Sequence, residues 1–460
     1  MKEIFKFWGY SQDAWRKLTG NQSLFALPSC THESHKPRVS FGRVHFSPTL
    51  HKELGVFYND VENGIMMPIL HWEDLPPHKE SLVWLSPLGA ASPKSLVDYS
   101  PVGSFAFHFD VDATINHISQ ERYFETKIPI YVKLGISPEN LPSSIRHSIL
   151  YSFNLARLVT KKFKSPTFPD PEKDLSVDIW RYLVHGIIVN HGLGHDVIVP
   201  LWPNGKKFSI ILNHDVDTEW PFKNKDGIAA FSDIETKRNL RSAWMVVARL
   251  HATGKDALHV LKDRGHEIGC HGSVHDHSIA YLPLEDILAR FASVRDFLDE
   301  FDCVGFRSPS YHRSETLYRA LNSHFHYDMS MHDCFTNPNS PITQSEGCST
   351  CFPFYLQGTD VLQIPTTVRE DIFLELAGLM PDDALEKQRQ NICHIKKRGG
   401  VANILTHPEP QLSSRKPWLH VYASLLDSII DDSTAWYALP SEISNWWKQR
   451  TKEINQIWSG

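Results

Sequence analysis

The second half of the chain alternates between short apolar runs and amphipathic segments. After a Trp-Pro-Asn-Gly turn signal at 202–205, residues 206–212 predict a strand. Strand-like and helix-like patterns then follow one another, apart from an irregular loop containing Cys, Pro and Ser at 333–353. This βα order predicts an α/β fold with a parallel sheet covered by helices, and about 250 residues is the usual size of such a barrel.

The N-terminal pattern is less regular. Short strand candidates such as 102–111 and 128–134 stand among scattered prolines, histidines and aromatic residues, and one helix, over 143–163, is well defined. With 460 residues the chain is too long for one ordinary core, which favours two domains. We therefore predict an N-terminal α+β accessory domain over 1–200 and a (β/α) barrel domain over 201–460.

Composition and charge narrow the class of protein. Hydrophobic residues make up 41% and charged residues 22% of the chain, as in soluble globular proteins, and the net charge of -6 gives no electrostatic case for nucleic acid or an acidic membrane as a partner. A small, neutral substrate is easier to accommodate. The N-terminus lacks a signal-peptide core, and no apolar run of about 18 residues could span a bilayer, so we expect a cytoplasmic protein.

The cysteines indicate reduced thiols. Seven cysteines, an odd number spread over a long chain, do not fit a disulfide framework. The single CxxC pattern, at Cys348 and Cys351, has no second Cys or His pair nearby. A plain loop is therefore favoured there over a redox or metal site.

A group of acidic residues follows the first predicted strand of the barrel. The stretch SIILNHDVDTEW at 209–220 places Asp215, Asp217 and Glu219 shortly after four mostly apolar residues. Ionised carboxylates repel one another and lose hydration when crowded, so this group indicates a bound cation, a shared proton or simple exposure to solvent. The stretch alone leaves these explanations open.

Other reactive side chains also follow predicted strands. In a parallel barrel the reactive residues lie at the C-terminal ends of strands, and this shared placement counts for more than any single motif. The residues in such positions are Asp215 and Asp217 after SIIL, His271 and His275 after HEIGC, Arg307 after VGF, and His407 after VANIL.

His271 and His275 are candidate metal ligands. Their i,i+4 spacing predicts that both imidazoles lie on one face of a helical turn, where they can bind one metal ion. The spacing alone is weak, because 26 histidines in 460 residues produce roughly 1.5 such pairs by chance. With Asp217 as a third ligand, however, the two histidines leave zinc or a similar ion an open position for water.

The remaining candidates supply acid–base chemistry. Asp215 can stay free of the metal and take a proton from water, and Arg307 can hold it ionised through a bidentate contact. Pro309 would stiffen the following loop so that a backbone N–H faces a developing oxyanion. His407 lies where a general acid for the leaving group is needed, although a lone histidine before a proline is more often structural.

Four motifs in the second half of the chain resemble those of the polysaccharide deacetylase family. In chain order they are DxD, HxxxH, RxPx(Y) and LxH. The members of this family are NodB-homology carbohydrate esterases similar to chitooligosaccharide deacetylase. The segment 265–271 also resembles the family's strand at that place, and the resemblance covers roughly residues 200–450. It implies a distorted (β/α) barrel in which a divalent metal, usually zinc, helps to hydrolyse the N-acetyl or O-acetyl group of a sugar.

The resemblance also implies a role for each candidate. The catalytic residues are Asp215 as base, Arg307 as its tether and His407 as acid. The ligands of Zn2+, or of another divalent ion such as Co2+, Ni2+ or Mn2+, are Asp217, His271 and His275. The residues that we expect to contact the substrate are Pro309, Ser310, Tyr311, Trp220 and Leu405, and a tryptophan can stack on a sugar ring.

Some features depart from the family pattern. The commoner first motif has two adjacent aspartates, whereas Val216 separates Asp215 from Asp217 here, a variant that is also found among relatives. The hydrophobic acetyl-pocket motif is not clear. Two later segments do resemble the family, namely 364–365 before an expected strand end and 436–447 as a closing helix.

A second DxD and HxxxH set lies in the N-terminal part. It consists of Asp110 and Asp112 followed by His191 and His195. Two glycines between the histidines favour a loop, and no RxP segment follows before the predicted boundary. A structural role is therefore favoured over a second metal site.

The sequence favours a metal-dependent hydrolase that removes an acetyl group from a sugar. Two alternatives keep the same barrel: a catalytically inactive carbohydrate-binding protein, and a hydrolase of another C–N amide bond, because fold analogy does not choose among substrates. The expected substrate is an acetylated amino sugar or oligosaccharide that is free, nucleotide-linked or lipid-linked. The oligomeric state does not follow from the sequence.

Overall fold

The structure is a computed structural model that describes part of the chain. The described residues are 200–333, 348, 350–355 and 359–459, together with Asp178 and six short strands between residues 25 and 107. The chain divides into two compact units, which are Met1–Ile118 with Pro171–Leu201 and Lys448–Gly460, and Ser119–Asp170 with Trp202–Trp447. The predicted division into domains 1–200 and 201–460 stays a prediction.

The described strands of the first unit form two small sheets. The strands are β1 (Phe25–Ala26), β2 (Arg38–Val44), β3 (Ile65–His71), β4 (Val83–Leu85), β5 (Val97–Tyr99) and β6 (Phe105–Phe107). Strands β1, β4 and β6 pair in parallel, β5 joins β6 antiparallel, and β2 and β3 form an antiparallel pair. Strand β6 lies within the strand predicted at 102–111. The sequence predictions that lie outside the described residues are the strand at 128–134, the helix at 143–163, and Asp110, Asp112, His191 and His195.

The second unit contains one large sheet. Its strands are β7 (Phe208–Val216), β8 (Ala243–Val246), β9 (Glu267–Cys270), β10 (Gly305–Phe306), β11 (Tyr327–Asp328), β12 (Phe354–Tyr355), β13 (Leu362–Gln363), β14 (Val401–Thr406) and β15 (Ala435–Tyr437). The order is β12-β13-β11-β10-β9-β8-β7-β14, and β15 pairs with the beginning of β7. The neighbours are parallel except β12 and β13, as the βα order predicts.

Ten helices of the described residues follow or connect these strands. They are α1 (Trp220–Lys223), α2 (Ile228–Thr236), α3 (His251–Asp263), α4 (Leu284–Ala292), α5 (Arg295–Glu300), α6 (Glu315–Leu321), α7 (Asp371–Leu376), α8 (Pro381–Arg398), α9 (Lys416–Ile429) and α10 (Pro440–Ser459). Local chemistry fixes some ends, because the N–H of Leu317 donates to the Ser314 side chain before α6 and Gly399 ends α8 at a left-handed φ of 77°. No helix of the described residues is long and apolar enough to cross a membrane.

The predicted closing helix at 436–447 is wrong in its first part. Strand β15 occupies Ala435–Tyr437 and pairs in parallel with β7, while Ser209 Oγ donates to the carbonyl oxygen of Trp436 at 2.9 Å. The helix begins only at Pro440, a residue that is favoured in the first helical turn because it needs no hydrogen-bond acceptor there. The chain therefore adds a short edge strand before α10 begins.

The ends of the large sheet meet, which makes it a distorted barrel. The N–H of Val401, at the start of β14, donates to the carbonyl oxygen of Cys351 at 2.9 Å. The N–H of Val368, after β13, donates to the carbonyl oxygen of Asn403 at 3.2 Å. These contacts close the circle through irregular segments instead of a regular strand pair. The predicted distorted (β/α) barrel is confirmed.

Strand β7 supplies both the interior of the barrel and its outer layer. All nine of its residues are buried, and a strand sends alternate side chains to opposite faces. Asn213 and Asp215 point inward to Arg307. His214 points outward, where its ring lies 4.1 Å from that of Trp244 and its Nε2 atom lies 2.7 Å from Glu235 Oε1. Period-two alternation thus separates Asp215 from the polar layer behind the sheet.

Candidate active site

The predicted site residues come together at one edge of the barrel. Asp215 lies near the end of β7 with Asp217 just beyond it, His271 directly follows β9, Arg307 follows β10, and His407 follows β14. Because parallel strands present their C-terminal ends at the same edge, residues distant in sequence become neighbours. The Oδ2 atom of Asp215 lies 3.7 Å from His271 Nε2 and 3.9 Å from His407 Nε2.

Asp217, His271 and His275 form a group of possible metal ligands. One side-chain ligand atom from each of the three residues lies within 4.8 Å of those of the other two. Asp217 Oδ1 is 3.3 Å from His271 Nε2 and 3.5 Å from His275 Nε2. Two imidazole nitrogens and one carboxylate oxygen are a donor set that suits zinc and leaves coordination positions open.

The two histidines do not lie on a helical turn, so this part of the prediction is wrong. The residues after β9 form an irregular loop in which Gly272 has a left-handed φ of 78°. A side chain at this position would meet the carbonyl oxygen of Val274 at 3.2 Å and the ring of Pro309 at 3.3 Å. The glycine therefore allows a tight bend that brings His275 back beside His271 without a helix.

The buried surroundings of these ligands favour a bound cation. Asp217 Oδ1 is buried and accepts no well-formed hydrogen bond within the described part of the chain. Burial raises the pKa of Asp217, but the neighbouring His271 imidazole outweighs it and holds this pKa below its usual value. Burial lowers the pKa of His275 well below its usual value, which keeps this imidazole neutral and able to bind a metal. The donor set therefore fits a divalent ion.

A further contact orients His271. Its Nδ1 atom lies 3.0 Å from the carbonyl oxygen of Arg307, which leaves Nε2 directed at Asp217. Metal-binding histidines usually donate their second ring N–H to such a carbonyl, and this fixes both the tautomer and the ring orientation. The loop after β10 thus supports the ligand that follows β9.

Arg307 holds Asp215 through one nitrogen, and the predicted bidentate contact is wrong. Its Nη1 atom donates to Asp215 Oδ1 at 2.9 Å and to Asn213 Oδ1 at 2.7 Å. The other donors are occupied, because Nε donates to the carbonyl oxygen of Met329 at 3.1 Å and Nη2 to Thr366 Oγ1 at 3.4 Å. The guanidinium is fully buried, and it leaves Asp215 Oδ2 directed at the two histidines.

His407 is held by Asp371, a residue that the sequence reasoning missed. The Nδ1 atom of His407 lies 2.6 Å from Asp371 Oδ1, and its backbone N–H donates to Asp371 Oδ2 at 2.7 Å. Burial by itself would lower the pKa of His407, but the Asp371 carboxylate outweighs it and raises this pKa well above its usual value. A signal was present, since Asp371 shortly follows the segment 364–365, which precedes an expected strand end, and a reactive side chain is expected there.

Two buried glutamates near the site were also missed. Glu409 accepts hydrogen bonds from the N–H and the hydroxyl of Thr218, and burial next to the Asp217 carboxylate raises the pKa of Glu409 to about 7. Glu370 accepts a hydrogen bond from the Tyr311 hydroxyl at 2.8 Å, and burial raises the pKa of Glu370 to about 7. Each glutamate links two loops that carry site residues.

The residues expected to contact a substrate differ in exposure. Pro309, Tyr311 and Leu405 are buried, while Ser310 and Trp220 keep part of their surface open. Their contacts with a substrate stay a prediction.

The predicted oxyanion donor after Pro309 also stays a prediction. In this turn the N–H of Tyr311 donates to Ser308 and that of His312 donates to Pro309. These two N–H groups are used within the chain, which leaves the N–H of Ser310 as the candidate donor.

The comparisons with known proteins concern the fold. No protein-family model matches the chain, and no curated protein matches it. Solved structures that match include a probable polysaccharide deacetylase from Pseudomonas aeruginosa PAO1, with 12% identity and a TM-score of 0.45 over 56% of this chain and 96% of that one. The predicted resemblance to polysaccharide deacetylases is confirmed for the fold.

Two further structures resemble the chain. The PuuE allantoinase matches with 13% identity and a TM-score of 0.44, over 56% of this chain and 96% of that one. A family 4 carbohydrate esterase from Streptomyces lividans, in complex with acetate, matches with 11% identity and a TM-score of 0.33, over 49% of this chain and 91% of that one. At such identities the likeness does not extend to substrate or reaction.

Proposed function

We propose that this chain is a divalent-metal-dependent hydrolase that removes an acetyl group from an N-acetylated or O-acetylated sugar. One observation carries the proposal: Asp215 Oδ2 lies 3.7 Å from Nε2 of His271, a member of the ligand group, and 3.9 Å from Nε2 of His407. A base and an acid beside one three-ligand group is the arrangement that hydrolysis of an acyl group needs.

Asp217, His271 and His275 would hold the metal, and zinc suits their donor set best, with Co2+, Ni2+ or Mn2+ as alternatives. When bound, the ion polarises the acetyl carbonyl group and lowers the pKa of water. The chain contributes the geometry, because His271 is fixed by the Arg307 carbonyl oxygen and Asp217 presents a buried oxygen without a well-formed hydrogen bond among the described residues.

Asp215 is the proposed base. Arg307 occupies Oδ1, so Oδ2 is the oxygen that is directed toward the ligand group and can accept a proton from the attacking water. Asn213 shares the same guanidinium nitrogen and fixes the direction from which Arg307 approaches.

His407 is the proposed acid. The Asp371 carboxylate holds Nδ1 and favours the protonated ring, so Nε2 carries a proton toward the site. This proton goes to the departing amine or alcohol of the sugar as the bond to the acetyl carbon breaks. Since Asp371 also accepts the backbone N–H of His407, the imidazole is held at both its ring and its main chain.

The proposed substrate is an acetylated amino sugar or oligosaccharide, free, nucleotide-linked or lipid-linked, and the proposed location is the cytoplasm. The partly exposed Trp220, three residues after Asp217, offers an aromatic face for a sugar ring. The net charge of -6 disfavours nucleic acid as a partner. A hydrolase of another C–N amide bond and an inactive carbohydrate-binding protein are the alternatives.

A substrate panel tests the proposal. Purified protein, stripped with a chelator and reloaded with zinc, would be assayed for acetate release from N-acetylglucosamine, chitooligosaccharides, a nucleotide-linked N-acetyl amino sugar and an O-acetylated sugar. We expect acetate from at least one of them, released about 10²-fold or more slowly by the Asp215→Asn variant. Turnover of a cyclic or linear amide alone would establish the other hydrolase, and sugar binding with zinc but no turnover would establish the inactive protein.

A further inference from the structure

The turn that follows Arg307 has an unusual backbone. Ser310 and Tyr311 are consecutive, neither is glycine, and both have left-handed φ angles, 53° and 58°. Residues with a Cβ seldom adopt this conformation, and they persist in it only where the surrounding structure holds them. The contacts of this turn therefore show what holds it in place.

Two sets of contacts hold this turn. One is with the loop that carries the metal ligands, and the other is with Glu370, which precedes the residue that holds His407. Ser310 Oγ lies 2.6 Å from Nδ1 of His277, whose ring lies 4.7 Å from that of His275. On the other side the Tyr311 hydroxyl donates to Glu370 Oε2 at 2.8 Å, and the Tyr311 ring lies 4.1 Å from that of His332. The buried Tyr311 thus faces Glu370 and not an open surface.

Glu370 and Asp371 are adjacent in the chain, yet they hold different parts of the site. Glu370 accepts from Tyr311, four residues after Arg307, and Asp371 accepts from His407. Arg307 in turn holds Asp215, and its guanidinium carbon lies 5.7 Å from the centre of the Tyr311 ring. A displacement of Glu370 would therefore be felt at both the base and the acid.

We propose that Glu370 is a positioning residue. By accepting the Tyr311 hydrogen bond it keeps the strained turn after Arg307 aligned with the first residue of α7, Asp371, and so fixes the separation of Asp215 from His407. Glu370 touches neither substrate nor metal in this role. The expected effect of Glu370 on catalysis rests on the proposed function. The alignment of the two segments, in contrast, can be measured without any substrate.

Two tyrosines allow a matched test. Tyr311→Phe removes the buried hydrogen bond from Tyr311 to Glu370 at the site. Tyr327→Phe removes a similar buried bond away from the site, in which the Tyr327 hydroxyl donates to Glu267 Oε1 at 2.7 Å. Glu267 and Tyr327 are the first residues of strands β9 and β11. Both tyrosines are buried, so the two variants lose similar interactions. Only the first changes the alignment of the turn with α7.

The readouts are kcat, KM, zinc content and amide hydrogen exchange. For Tyr311→Phe on a chitooligosaccharide we expect kcat to fall about 10-fold with KM within about 2-fold, because misplaced catalytic groups slow chemistry more than binding. Zinc content should stay at the wild-type level. Exchange should accelerate in the turn at 308–312 and in α7, and Tyr327→Phe should change neither the exchange of these segments nor kcat.

Glu370→Gln provides a second variant, since its amide oxygen can still accept the Tyr311 hydrogen bond. We expect it to keep exchange in the turn slow, whereas Glu370→Ala should accelerate it as Tyr311→Phe does. Equal exchange and equal kcat in Tyr311→Phe and Tyr327→Phe would overturn the inference. If the wild-type protein releases no acetate from any probe, the proposed function has failed, and hydrogen exchange alone decides this inference.

Discussion

Asp371 holds His407 through two hydrogen bonds, one from the ring Nδ1 atom at 2.6 Å and one from the backbone N–H at 2.7 Å. This arrangement leaves His407 Nε2 directed at Asp215 Oδ2, 3.9 Å away. The hydroxyl of Ser413 also donates to Asp371, at 2.5 Å, so the carboxylate itself is fixed. The imidazole is thus oriented and charged by one buried residue that lies 36 residues earlier in the chain.

The charge of Asp371 should set the alkaline limit of activity. Burial lowers and Asp371 raises the pKa of His407, and the net shift is upward. A general acid must be protonated, so activity should fall as the pH rises through this pKa. In Asp371→Asn the amide keeps a hydrogen-bond acceptor but loses the charge, so the alkaline limb of kcat against pH should move to lower pH. An unmoved limb would show that another group controls it.

Removal of His407 should slow the hydrolysis of a substrate with a poor leaving group more than that of a substrate with a good one. An acetamide releases a poor amine that needs a proton, whereas an activated aryl acetate releases a phenolate that does not. We expect His407→Ala to lower kcat/KM by about 10²-fold or more for the acetamide and by much less for the ester. Equal losses on both substrates would assign His407 to substrate positioning or to support of the metal.

Substitutions of Asp215 and Asp217 should differ in their effects on metal binding and on the rate of hydrolysis. Asp215→Asn is expected to keep the metal and to lower hydrolysis by about 10²-fold or more, because the amide cannot accept a proton. Asp217→Asn should weaken metal binding. Metal analysis of both purified variants distinguishes the roles, and loss of metal in the first with retention in the second would show that the two roles are exchanged.

The histidine ligands make a direct prediction about metal content. His271→Ala and His275→Ala should each purify with little divalent metal, because each removes one of the three donor atoms that lie within 4.8 Å of one another. His259→Ala, which changes a half-exposed histidine on α3 outside the site, serves as the control and should retain the wild-type content. Full metal content in both ligand variants would refute the assignment.

Much of the barrel and of the site edge follows from the sequence. Apolar runs of strand length alternate with amphipathic helices, and the rule that parallel strands end at one edge brings Asp215, His271, Arg307 and His407 together. Side chains whose positions depend on strand periodicity and strand order can be placed in this way. The same rule also explains why Asp217 and His271, which follow β7 and β9, were predicted to lie close together.

Loop conformation and partners distant in sequence were harder to predict. The left-handed Gly272 turned an expected helical turn into an irregular loop, and i,i+4 spacing alone cannot show this. Asp371 and Glu370 act through contacts with His407 and Tyr311, which depend on how the barrel closes. The single contact between Arg307 and Asp215 likewise depends on Asn213, whose place inside the barrel requires the register of β7.

Zinc titration of the stripped protein shows directly whether a metal held by Asp217, His271 and His275 is needed for hydrolysis. Acetate release from the best substrate of the panel would be followed as zinc is added in steps to the chelator-treated protein, with Asp215→Asn as the zinc-binding control. We expect almost no release without zinc, then a linear rise that saturates at about one zinc per chain, because these three residues form one ligand group. Full activity in the stripped protein, or none with one zinc bound, would contradict this expectation.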